Sequence, residues 1–438
     1  MALARLHKRN WIYIRLPIAM AAVLIMIWVW RSFMPLPPDE ISLSSGLIEG
    51  EYYQYAQQYA TKFAEHGIVV NILISDGAAQ NLERLRRLAA PHADLAFVQS
   101  TGETEVYEPG QTGRLQSLGK IDIEPIWIFS RQNLMELTQL QGQRVSLGPT
   151  GSGTRRVALA LLEQAQLTPS DVVESKLNGA AAADALRRGE LDVMFWVSSG
   201  RSPLARSLLA TPGIQLLQLR HAAALTERLR QLEPRLLPQS AIDPANRILA
   251  RDTVLLTTSA SLVARDDLDP ALQRLAVQIA TEIHSAGGLF HRAGDFPTFK
   301  KPDFPVAPQA RQTMAYGRPW LEQALPFWSA QIATRVLLIC VPLTLLAIWL
   351  SALLPAYLRW LIESRVTRWY GELKYIELDL LEKKKLSGLD RARHAQRLDA
   401  MEKKIATTDM PDYLMERWYL LRVHINYVRG HLHREMGR

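Results

Sequence analysis

Val145-Ser146-Leu147-Gly148-Pro149-Thr150-Gly151-Ser152-Gly153-Thr154-Arg155-Arg156, followed by Val157-Ala158-Leu159-Ala160-Leu161-Leu162, decides how this chain is read. The order is a short apolar strand, a turn rich in glycine and hydroxyl groups, and an apolar helix. Glycines let backbone approach a ligand closely, and the first N–H groups of a helix have no acceptor within it. Such a turn suits an anion, with Ser152 and Thr154 supplying hydroxyls and Arg155 a charge. Gly148 and Gly153 have the G-x-x-x-x-G spacing of a nucleotide loop, but Thr154 stands where its lysine would be, which argues against ATP. The competing reading is a plain strand-to-helix connection with Ser152 or Thr154 as N-cap.

The charge distribution places this turn outside the cytoplasm. Residues 1–15 carry Arg5, Lys8, Arg9 and Arg15 and no acid, and residues 359–438 carry 17 Lys and Arg against 12 Asp and Glu. The formal +8 of the 438-residue chain therefore belongs to its two ends. The middle has no net basic field, which removes the support for a nucleic-acid partner.

Each basic end adjoins a membrane-like stretch. Residues 16–34 open with an uncharged run and finish near Trp28, Trp30 and Arg31, and residues 335–359 enclose 23 uncharged positions. Read as two transmembrane helices, they put both termini in the cytoplasm, with lipid contacts, and residues 35–330 in the periplasm of an inner membrane. A cleaved secretory signal shares the pattern of the first stretch, but Phe33-Met34-Pro35-Leu36-Pro37-Pro38 contains no small-x-small cleavage site. The single cysteine, Cys340, lies in the second stretch, so no intramolecular disulfide is available. The external region must rely on its own core, for which about 290 residues suffice.

Short apolar runs alternate with helical patterns through 35–330, as in an α/β domain. Strands near 41–43, 68–74 and 94–98 each end in small or polar turn residues that precede helices; the exits are Ser45-Gly46, Ser75-Asp76-Gly77 and Gln99-Ser100. Ligands gather at such carboxyl ends in parallel sheets. A run at 125–129 carries the chain into a second lobe holding the Gly-rich turn. The expected division is lobe 1 at about 39–122 and 215–310 and lobe 2 at about 123–214, facing a cleft. Ser45, Gly46, Ser75, Gln99, Gly151, Ser152, Gly153, Thr154 and Arg155 are the candidate ligand-binding residues. Tyr53 and Trp196 join them because each lies near an element end at the cleft.

Several strings in this region are similar to a known family. Glu51-Tyr52-Tyr53, Gln80-Asn81-Leu82, Asp94-Leu95-Ala96-Phe97-Val98-Gln99, the run from Arg144 to Thr154, Leu191-Asp192-Val193-Met194-Phe195 and His284-Ser285-Ala286-Gly287-Gly288-Leu289-Phe290 occur in order. By these the chain resembles, over most of 41–330, the TAXI solute receptors of tripartite ATP-independent periplasmic (TRAP) transporters. The resemblance implies a type II periplasmic-binding-protein fold, a small organic acid or amino acid as ligand, and TRAP membrane subunits as partners. Two departures stand out. Glu49 falls in the first loop, and Ser75-Asp76-Gly77-Ala78 replaces the family's threonine-glycine pattern; both acids would repel a second carboxylate or attract an ammonium group.

No enzyme is expected. The ten histidines are scattered without a metal-ligand set, no cofactor motif is present, and Ser152 lacks the glycine two positions earlier that a nucleophile elbow needs. Residues 360–438 form a helical tail. Ile362, Val366, Trp369, Leu373, Ile376 and Leu380 recur at helical spacing, and Leu414, Trp418, Leu421, Ile425, Val428 and Leu432 repeat it, predicting a helical bundle. Ser387-Gly388 and Met410-Pro411-Asp412 supply turns, and Lys383-Lys384-Lys385 forms a solvated turn or touches anionic lipid. Two functions fit: a receptor feeding a transporter, or a sensor that signals to a cytoplasmic partner through the tail.

Overall fold

The computed structural model describes residues 20, 24, 27–28, 31–32, 35–87, 89, 91–100, 114–249, 251–382, 387–407 and 415–434. The expectations for residues 1–15 and most of 16–34, for Lys383-Lys384-Lys385, Met410-Pro411-Asp412 and Leu414, and for the side chains of Ile362 and Val366, lie outside the described residues. The chain divides into two compact units, residues 1–335 and 336–438.

The first unit begins with β1 (Glu40–Ser44), α1 (Glu51–Ala64), β2 (Val69–Leu73), α2 (Ala78–Arg86), β3 (Leu95–Gln99) and the long β4 (Leu115–Ser130). β5 (Arg144–Ser146), α3 (Gly153–Gln164), β6 (Val173–Glu174), α4 (Gly179–Arg188), β7 (Val193–Val197), α5 (Pro203–Leu209), β8 (Gln215–Leu216), α6 (Ala222–Arg228) and β9 (Glu233–Leu237) follow. The long β10 (Thr253–Arg265), α7 (Pro270–His284), α8 (Pro308–Tyr316) and α9 (Trp320–Ala324) complete it.

The strand order is β2-β1-β3-β10-β4-β7-β5-β6, with β8 on β4 and β9 on β10. β1, β2 and β3 pair in parallel, as do β5, β6 and β7. Two strands serve both halves. β4 pairs with β10 through residues 115–125 and with β7 through Ile126–Ser130. β10 pairs with β9 through Thr253–Thr257, then with β4 and β3. Two lobes joined by two crossing strands result.

Each lobe has its own core. In the first, α1 buries Tyr55, Ala56, Tyr59 and Phe63, one face of a 3.6-residue repeat, against Leu95 and Phe97 of the fully buried β3. Gly67, at φ +72°, ends that helix, as its sequence position predicts. In the second, Val157, Leu161 and Leu162 of α3 meet Val145, Val193 and Phe195. The lobe boundary differs from the expected one. Leu217, Leu219, Ala222, Leu229 and Leu232 belong to this second core, and β8 pairs with the outer half of β4. The chain returns to the first lobe along β10 and not at residue 215, because Leu217, Leu219, Ala222, Leu229 and Leu232 bury their apolar surface in the second core.

The helix α10 (Phe327–Glu382) begins in the first unit and runs through the second. Its Phe327–Leu346 stretch is long and apolar enough to cross a membrane and, among the described residues, is the one stretch that is. α11 (Gly388–Thr407) and α12 (Met415–Arg434) complete the second unit. Leu373 and Ile376 of α10 pack with Leu398, Met401 and Ile405 of α11 and with Leu421, Ile425 and Val428 of α12. The tail is thus a bundle of three helical segments. The middle one was not singled out by the sequence reading, because its apolar residues are sparse. Ser387 starts it, its hydroxyl accepting the Asp390 N–H at 3.2 Å.

Candidate functional site

The loops after β1, β2, β5 and β7 and the start of α4 converge between the lobes and enclose a cavity of about 430 Å³. From the first lobe its wall takes Gly46 to Tyr52, Ile74, Asp76, Gly77, Ala78, Gln99 and Glu124. From the second it takes Pro149, Ser152, Gly153, Thr154, Asn178, Gly179, Trp196, Val197 and Ser198. Among these residues are four carboxylic acids, Glu49, Glu51, Asp76 and Glu124, and no Lys, Arg or His.

The lobes touch across the cavity. A Cβ placed on Gly77 would stand 2.9 Å from Ser152 Cα and 3.1 Å from the Gly151 carbonyl oxygen, and Gly77 has φ +134°, a value that L side chains rarely adopt. Only glycine fits there. A Cβ on Gly153 would stand 2.5 Å from Gln99 Oε1, so the Gln99 amide lies against the first turn of α3. Glu51 accepts both the N–H and the hydroxyl of Ser199. Glu49 Oε2 lies 3.1 Å from a Cβ position on Gly179, at the start of α4. Carboxylates of one lobe therefore sit at helix starts and turn N–H groups of the other, where the backbone dipoles favour negative charge.

Glu124 is the most unusual group. It is 5% exposed, accepts from Gln99 Nε2 at 3.1 Å, and Gln99 Oε1 accepts from Arg156 Nη2 at 2.9 Å. Burial pushes its pKa up to about 7, against the lowering effect of the Gln99 bond and with a further upward push from Glu51. Burial also raises Glu51, outweighing its bonds to Ser199. Asp122, two residues before Glu124, goes the other way. Burial would raise it, but His291, the Tyr55 hydroxyl at 2.7 Å and the Ile123 N–H hold it below the usual carboxylate range. Its bond to His291 in turn raises that imidazole.

Of the residues expected from sequence, Gly46, Gln99, Ser152, Gly153, Thr154 and Trp196 line the cavity. Thr154 Oγ1 accepts the Val197 N–H at 3.2 Å, and Ser152 caps α3, accepting the Arg155 N–H at 3.1 Å. The capping and ligand-facing readings of that serine are therefore compatible. The other five are not on the wall. Ser45 Oγ donates to the Leu73 carbonyl, Ser75 Oγ to the Ser45 carbonyl, and both are buried within the first lobe. Arg155 turns away to pair with Glu174. Gly151 faces Asp76 at the rim, and Tyr53 is replaced by its neighbour Tyr52. Glu51, Glu124 and Asn178 were missed. The one sequence signal for Glu124 was a pair of acids, Asp122 and Glu124, alternating with Ile121 and Ile123 in a strand that buries most of its residues.

A two-lobed α/β domain of this topology, with its cavity at the strand ends between the lobes, is like a type II periplasmic-binding-protein domain. Residues 44–275 match the NMT1-like family, and the chain belongs to that family. A Bordetella bronchiseptica RB50 protein of known structure is 18% identical, covering 65% of this chain and 91% of its own, with a TM-score of 0.39. The periplasmic aliphatic sulphonate binding protein SsuA from Escherichia coli is 14% identical, over 68% of this chain and 75% of its own, with a TM-score of 0.35. The alkanesulfonate-binding protein SsuA from Xanthomonas axonopodis pv. citri, in a structure bound to MOPS, is also 14% identical, over 57% and 75%, at 0.35. At such identities nothing of their ligands transfers to this chain.

Proposed function

We propose that this protein is a membrane-anchored receptor whose two lobes close on a small ligand bearing a protonated amine, an amino acid being the simplest case. The observation that carries this reading is the cavity wall: both lobes contribute, and its charged groups are all acids. A dicarboxylate would face Glu49, Glu51, Asp76 and Glu124 with no cation on the wall to offset them. An amino acid would place its ammonium toward Glu124 and its carboxylate at the N–H groups of Gly153 and Thr154, the first of α3. Leu47, Ile48, Ile74 and Trp196 offer apolar surface for a side chain.

The anchor is the Phe327–Leu346 stretch together with residues 16–34, with both termini cytoplasmic by the distribution of basic residues. The resemblance to TAXI receptors supports delivery of ligand to separate TRAP-type membrane subunits. A second reading, a sensor acting through its tail, is favoured by the packed core of the helical bundle, which a receptor that only hands over solute does not need. A thermal-shift screen of the full chain in detergent against amino acids, simple amines and dicarboxylates tests the receptor reading. Saturable stabilisation by amine-bearing compounds supports it. Stabilisation by dicarboxylates alone would reverse the ligand class, and no stabilisation by any of the three would remove the receptor reading.

A further inference from the structure

A second cavity, of about 390 Å³, lies behind the crossing strands. Ile123 and Ser100 line it, whereas their chain neighbours Glu124 and Gln99 line the front cleft. Successive strand residues point to opposite faces, so the two cavities stand back to back, separated by β4 and β10.

Both lobes build this rear cavity. Lys120, Lys300 and Lys301 come from the first, Arg230 and Arg235 from the second, and Thr257 to Ser259 from β10 between them. Part of the charge is satisfied internally. Glu233 takes Lys301 and Arg235, each at 3.2 Å, and Asp303 accepts the Ser100 hydroxyl at 2.6 Å. Asp295 accepts the Arg292 N–H, and His291 leans on Asp122 at 3.5 Å. Lys120, Arg230 and Lys300 make no ion pair among the described residues. The hydroxyl of Thr258, a residue only 4% exposed, is buried without a hydrogen-bond partner. A buried hydroxyl with no partner is costly, and cations around a concave site focus positive potential and so concentrate anions.

We infer that the rear cavity binds a small oxyanion carrying two or more negative charges, a phosphate or a polycarboxylate, through Arg230 on one lobe and Lys120 and Lys300 on the other. Thr258 supplies the hydroxyl donor. The consequence is regulatory. Opening the front cleft rotates the lobes about β4 and β10 and so changes the separation of Arg230 from the two lysines. An anion bridging them favours one hinge state, and by linkage the front ligand alters the affinity of the anion by the same factor.

The test uses the full chain in detergent, titrated with inorganic phosphate and with citrate at constant ionic strength against chloride, followed by calorimetry and thermal shift. Arg230 and Lys300 are exposed, so an Arg230→Ala/Lys300→Ala variant is expected to fold. The expected result is saturable binding of at least one of the two anions, weakened tenfold or more in that variant and retained when Thr154→Trp fills the front cleft. Three outcomes would overturn the proposal: no saturable binding of either anion, equal binding in the double variant with binding also kept in Thr154→Trp, or equal binding in the double variant with binding lost in Thr154→Trp. The last would place the anion in the front cleft and count against the amine-binding reading; the first two leave that reading standing.

Discussion

The carboxylate of Glu51, on the first lobe, accepts both the backbone N–H and the hydroxyl of Ser199, on the second. These two hydrogen bonds join the lobes at the cleft. The partners belong to different lobes, and the acid has been desolvated to make the contact. Replacing Glu51 by Ala should shift the lobes toward an open state. Spin labels at Ala79→Cys and Lys176→Cys would report it as a longer mean distance than in the parent, and an unchanged distance distribution would show that the pair is not a latch.

Gly77 constrains closure through shape and not charge. A methyl group there meets Ser152 Cα at 2.9 Å in a backbone conformation that alanine disfavours. Gly77→Ala should therefore weaken ligand binding tenfold or more while costing only about 1–2 kcal/mol of stability, the usual expense of a residue with positive φ. Binding as tight as in the parent would mean that the lobes need not approach this closely.

Glu124 ties the site to pH. Its folded pKa, about 7, lies above the 4.5 of an ordinary glutamate, so between those values the folded chain keeps a proton that the unfolded chain loses. Stability falls as pH rises through that window and is level above it. Glu124→Gln should be neutral near pH 4 and should stabilise by on the order of 2–3 kcal/mol at pH 8. Unfolding at the two pH values measures this difference. In the parent, an amine ligand should bind more tightly at pH 8 than at pH 6 and release a proton on binding at pH 6, and both effects should vanish in Glu124→Gln.

The tail can be perturbed by itself. Leu421 is fully buried among Leu373, Ile376, Leu398 and Ile425. Leu421→Ala should cost the bundle about 2–4 kcal/mol, through lost burial and the cavity left behind. Hydrogen exchange should show faster opening of α11 and α12 with no change in β1 to β7. Protection lost from the sheet as well would mean that the two units unfold together.

Topology is open to a direct test. A reporter active only in the periplasm should work when fused at Pro308 and fail at Arg438. Activity at the C-terminus would place the tail outside and remove the cytoplasmic-partner reading.

What the sequence determined was local and periodic. The spacing of Tyr55, Tyr59 and Phe63 sets a helix with one buried face, and the apolar run of Leu95 to Val98 sets an interior strand. Ser152 followed by an apolar stretch sets where α3 begins, and Leu373 with Leu421 foretold the tail bundle. Nearest-neighbour chemistry and the 3.6- and 2-residue periods suffice for these. Which lobe received residues 215–257 was decided by pairing across the sheet, since β8 and β9 find partners more than 15 residues away in the chain. Site membership was likewise a tertiary matter. Tyr52 faces the cavity and Tyr53 does not, Arg155 turns to Glu174, and Glu124 acquires its pKa from burial at a lobe junction. The physical reason is that desolvation and contact between lobes depend on distances in space, which composition and periodicity along the chain do not encode.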